Sequence, residues 1–154
     1  MERRKLKKNN YKKFLLMLSI SFIIMYFAMF LNVASLNHIY LSLTRFYITL
    51  LMVAPMSLVM IFSMREMYQD KKLNKIIIIL SVLVFILALI LLRTQTPISD
   101  EQYMKAMISH HSSAILTSEN ANLQDEEVKE LARNIIEAQE REINQMKEIL
   151  SRLN

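Results

Sequence analysis

The sequence predicts an all-α protein. Three transmembrane helices are followed by an extracytoplasmic helical hairpin, half of a four-helix bundle that a second copy would complete. Three observations predict it. The 154 residues contain no glycine, which removes the residue that most special turns require. Three uncharged apolar runs lie before residue 93, each long enough to cross a bilayer core as a helix. The remaining residues turn polar and acidic, with apolar positions recurring at helical spacing.

The charge is divided along the chain. From Met1 to Lys13 seven Lys/Arg stand against Glu2, while from Thr94 to Asn154 six Lys/Arg stand against eleven Asp/Glu. The formal net charge of +5 is a sum over unlike parts and gives no case for nucleic-acid binding. The chain has no cysteine, so disulfides and thiolate metal sites are excluded. Phosphate-cradling glycine loops are excluded with them.

Residues 1–13 read as a basic cytoplasmic N-terminus, 14–92 as the membrane domain and 99–154 as the hairpin. The first span runs from Phe14 to about Leu31, FLLMLSISFIIMYFAMFL, and lacks a small-x-small cleavage site, so it reads as a retained anchor. The second runs from Phe46 to Met64. Pro55 should kink it without ending it. The third, Ile76 to Leu92, is the most apolar. Basic flanks precede span one and join spans two and three, whereas the loop NVASLNHIYLSLTR carries only Arg45. Lys/Arg-rich loops stay inside, so the expected protein is multi-pass in the cell (inner) membrane, with its N-terminus cytoplasmic and its hairpin and His38 outside.

Pro97 breaks the helix after span three, and Ser99 with Gln102 fits a capping box for the next. That helix should run to about Glu119. A turn at 120–124 and acidic residues 125–127 then start a second helix, to about Arg152. At 100° per residue, Tyr103, Met104, Met107, Ile108, His111, Ala114, Ile115 and Ser118 share one face of the first helix, with His111 near its centre and His110 at its edge. On the second, Val128, Leu131, Ala132, Ile135, Ile136, Ile143, Met146, Leu150 and Leu153 form the stripe, with Gln139 in its middle. Closure at residues 121–122 would place His111 opposite Ala132. Two helices make a thin core, so the hairpin is expected to pair as a homodimer or to rest on the membrane domain.

Two of the three histidines are neighbours, in MISHHSSAIL at 107–116. Imidazole with thioether and no thiolate suits a soft ion, Cu(I) or Ag(I). The candidate metal ligands are His110, His111, Met107, Met104 and Met146, the last expected to join only through a second subunit. The other reading is that the imidazoles are hydrogen-bonded core groups and the methionines are packing.

The stretch from Asp100 to Leu150 resembles the domain-of-unknown-function family 305. The resemblance rests on Met107, Ile108, His110, His111, Ala114 and Ile115, then Leu131, Ala132, Ile135, Ile136, Ala138, Gln139, Glu142, Ile143 and Met146. NHIYLSLTR and APM resemble the three-span membrane branch of that family. The resemblance implies a ferritin-like helical bundle outside the cytoplasm and, in some members, copper bound through His and Met. It implies no reaction. The sequence departs from the family pattern at Ser109, where proline is common, and at Thr117, where methionine is common.

Met52, Met56, Met60 and Met64 recur every fourth residue in span two, followed by Met67, and Met25 and Met29 do the same in span one. Such a stripe is either a thioether ladder for Cu(I), with His38 at its mouth, or gap-filling between helices, the reading favoured here. A di-iron Glu-x-x-His pair, a zinc H-E-x-x-H helix and a nucleophile elbow are all missing, so no enzyme is expected. The expectation is a membrane-anchored metal-binding protein that handles copper; the alternative is a structural or interaction module without metal.

Overall fold

The computed structural model describes residues 2–153, with residues 2–8 described in backbone only. The basic side chains of the first eight residues, part of the orientation signal, lie outside this description. The described residues form five α-helices: α1 (Glu2–Ala28), α2 (Leu43–Ser63), α3 (Lys71–Thr94), α4 (Asp100–Asn120) and α5 (Glu126–Leu153). A short 3-10 turn, Leu36–His38, lies between α1 and α2. Among the described residues there is no strand, and the chain is all-helical. Three helical segments, Asn9–Ala28, Leu43–Ser63 and Lys71–Thr94, are long and apolar enough to cross a membrane.

The chain folds as two compact units. One comprises residues 1–27 and 46–96, the other residues 28–45 and 97–154. The loop between the first two spans therefore belongs with the hairpin, a partition that the division at residues 14–92 and 99–154 did not contain.

In the first unit most apolar side chains of α1 and α3 face outward, as lipid-facing helices require. Its core gathers Phe14, Met60, Ile61 and Tyr68, with Met56 and Met64 packed against them. Met52 and Met67 are exposed. The methionine stripe is thus divided between packing and surface. Pro55 sits inside an unbroken α2, in keeping with the expected tolerance of proline in a span. Two turns of hydrogen bonding fix the ends of these helices. Tyr11 Oη donates to Asn74 Oδ1 at 2.6 Å, and Asp70 Oδ1 caps α3 by accepting from Lys72 N and Leu73 N. With no glycine available, the α3 C-cap is Gln95 in the left-handed region at φ 53°, its N–H bonded to Leu91 O.

In the second unit α4 and α5 form the expected hairpin. Ser99 Oγ accepts from Gln102 N at 3.3 Å, and Asp125 Oδ1 accepts from Val128 N at 3.0 Å, so both helices start on side-chain caps. The core is Ile108, Ile115, Ile143, Met146 and Leu150, with Tyr40, Met104, Met107 and Ile136 packed on it. Tyr103, Val128, Leu131 and Leu153, expected in the seam, are exposed instead. For Tyr103 the reason is that the covered face of α4 is centred nearer Ser109 and Ser112, which are fully buried.

What covers those serines is the loop 28–45. It runs antiparallel to α4 and is tied to it at six points. Asn32 Nδ2 donates to Ser113 Oγ (2.9 Å), and Ala34 N donates to Ser112 Oγ (2.8 Å). His38 Nδ1 meets Ser112 Oγ (2.9 Å), and Ser109 Oγ donates to His38 O (2.7 Å). Tyr40 N reaches Ser109 Oγ (3.4 Å), and Leu43 N donates to Gln102 Oε1 (3.0 Å). Gln102 thus spends its side chain on the loop, where a full capping box would have turned it back to Ser99. The loop lacks a ladder for its own backbone groups, and hydroxyls on α4 satisfy them. Arg45, the loop's lone cation, donates to Met29 O beyond the end of α1 and lies 4.3 Å above the Phe30 ring.

Candidate metal site on the hairpin

The paired histidines lie one step further out than the sequence predicted. Ile108, Ser109, Ser112 and Ile115 hold the centre of the covered face of α4, which sets His111 at its edge and leaves His110 exposed. The two rings lie 6.0 Å apart between centroids at an interplanar angle of 62°.

His111 does not face Ala132. Its Nδ1 lies 3.0 Å from Glu142 Oε2, ten positions further along α5; the hairpin does not close at residues 121–122, since residues 121–125 are non-helical and α5 starts only at Glu126. The carboxylate is near enough for an ion pair but lies off the direction of the ring N–H, so this buried nitrogen makes no regular hydrogen bond. Glu142 is itself half exposed. Glu142 stands among the positions that carry the family resemblance.

The thioethers also differ from expectation. Met146 is buried in the same cluster on which Met104 and Met107 pack, within one chain. A second subunit is not needed to bring it there. The structure thus gathers three of the candidate ligands in the core and sets the two imidazoles at its solvent edge. Among the described residues no three His, Cys, Asp or Glu side chains converge on one point. A site here would draw on thioether and imidazole, the donor set of a soft ion.

His38 holds a different position. Ser112 Oγ accepts from Ala34 N and is also bonded to His38 Nδ1 at 2.9 Å, so one hydroxyl holds both the loop backbone and the imidazole. Burial, then the nearby Lys147, hold its pKa below the ordinary 6.5. Burial also lowers the pKa of His111; Glu142 opposes that shift and His110 adds to it.

Both depressions have one sign. The folded unit binds fewer protons than the unfolded chain between the ordinary value of 6.5 and the lowered values. The contribution to stability is complete above about pH 6.5 and is lost as the pH falls through the folded pKa values. Acidification of the metal-free chain from neutral pH is therefore expected to speed amide exchange at residues 34–43 and along α4. Exchange there that slows on acidification, after correction for intrinsic rates, would contradict this.

Sequence comparison places the chain among known proteins. The model of the family described as Domain of unknown function (DUF305) matches residues 88–150, which include α4, its histidines and most of α5. The Uncharacterized protein L153 of Acanthamoeba polyphaga mimivirus is 38% identical over 144 residues, covering 92% of this chain and 93% of the relative. No solved structure matches the chain. The likeness runs through nearly the whole length of both proteins, and the family match falls on the helices that carry the paired imidazoles: the chain belongs to the DUF305 family.

Proposed function

We propose that the protein is a membrane-anchored metal-binding protein that handles Cu(I), with Ag(I) as its mimic, on the outer face of a bilayer. His110 and His111 are the principal ligands, and Met107, Met104 and Met146 are the thioether reserve beneath them. The observation that carries this reading is the pair of rings 6.0 Å apart at the edge of a methionine-bearing core. The ion would supply a bound charge; no reaction follows from it.

The outward orientation is supported by the loop 28–45 and residues 97–154 forming one unit, as two segments on one side of a membrane can. Exposed Val128 supports a homodimer through the hairpin, completing a ferritin-like bundle. A monodisperse monomer in mild detergent would contradict the dimer.

A second reading is favoured by the His111–Glu142 contact: a structural or protein-interaction module in which the imidazoles only stabilise the hairpin. Competition with a Cu(I) chelator, using the full chain in detergent, separates the two. Wild type should compete and the His110→Ala, His111→Ala double variant should not. No competition by either chain would favour the second reading, and equal competition by both would remove the histidines from the ligand set.

A further inference from the structure

We propose that Glu142 is the positioning residue of this site: its carboxylate holds the proton of His111 on Nδ1, so that Nε2 is the one nitrogen offered to a soft monovalent cation. The inference rests on the metal-binding reading above and assigns a role within it to a residue outside the ligand set.

The geometry supplies the reasons. A neutral imidazole carries one proton, on either nitrogen, and an ionised carboxylate can only accept. With Glu142 Oε2 3.0 Å from Nδ1, the tautomer protonated on Nε2 would set a lone pair against a carboxylate oxygen. The tautomer protonated on Nδ1 sets a donor there. Nδ1 is also closed to solvent and has no other hydrogen-bond partner among the described residues, so a cation cannot approach it from water. The off-line approach of Glu142 is easily corrected, since its half-exposed side chain can turn. Metal-binding histidines commonly donate their second N–H to a carboxylate, which fixes the ring and raises its basicity. His110 has no such carboxylate among the described residues, so the two neighbours are unequal. His111 is the oriented ligand and His110 the freely rotating one. Because His111 stands on α4 and Glu142 on α5, the ligand is oriented only while the hairpin is closed.

The test uses the full chain in detergent with 15N-labelled histidine, free of metal and at about pH 7.5, above the ordinary histidine range. Two-bond proton–nitrogen correlations read the tautomer. Wild-type His111 should carry its proton on Nδ1. Glu142→Gln should keep that pattern, because its amide oxygen still accepts, whereas Glu142→Leu should move the proton toward Nε2. Titration with Ag(I) should then perturb Nε2 of His111 in wild type, and the leucine variant should bind about 10–100-fold more weakly. A proton on Nε2 in the wild type, or a pattern unchanged in Glu142→Leu, overturns the proposal. A chain with the expected tautomer that ignores Ag(I) overturns the metal-binding reading and, with it, the positioning role built on it.

Discussion

Replacing Ile143 with alanine is expected to destabilise the unit of residues 28–45 and 97–154 by about 2–5 kcal/mol. Ile143 is 2% exposed and belongs to a core of five buried side chains. Removing its outer carbons leaves a cavity between two helices that have little else to close on. Small domains hold about 5–15 kcal/mol in total, so the loss is a large share of what this unit has. Leu131→Ala is the matched control. It lies in the same predicted stripe, but at 58% exposure its loss should stay within about 0.5 kcal/mol. Thermal unfolding of the two variants in the same detergent measures the difference. A loss at Ile143 no larger than at Leu131 would contradict the core assignment.

The second large effect is expected at Ser112. Alanine there removes the acceptor of Ala34 N and the hydrogen-bond partner of His38 Nδ1 in one step. Leaving a buried donor or acceptor without a partner costs about 1–3 kcal/mol, and two groups are affected. The helix itself loses nothing, since alanine is the better helix former. Residues 32–43 should therefore exchange their amide protons faster while α4 keeps its protection. Uniform loosening of both α4 and the loop, or no change at Ala34, would contradict the role given to the hydroxyl.

These two residues also mark where the sequence was readable. The three spans and the hairpin follow from long uncharged runs and from periodicity, which act locally, and Ile143 sat in the predicted stripe for that reason. Ser112 did not, because its function lies in hydrogen bonds to a loop 74 and 78 residues away in sequence. No local pattern reports such a bond. The available signal was the run Ser109, Ser112 and Ser113 beside the apolar face, where hydroxyls await backbone partners. Ser109 carries the same lesson. At a position where the resembled family often has proline, this chain places a hydroxyl that binds His38 O, and the loop is docked there. Glu142 was visible as part of a pattern but not as a partner of His111, since the offset between α4 and α5 depends on how Ile108 and Ile143 pack. Charge at a seam edge looks the same in sequence whether it meets water or an imidazole.

The proposed ligands of a soft ion are paired imidazoles at the edge of a cluster of thioethers. X-ray absorption at the copper edge, on the full chain loaded with Cu(I) in detergent, examines that donor set directly. The predicted spectrum has imidazole nitrogen and thioether sulfur in the first shell, and the nitrogen contribution disappears in the His110→Ala, His111→Ala double variant. A first shell of light atoms only, or one that the double variant leaves unchanged, would contradict the account.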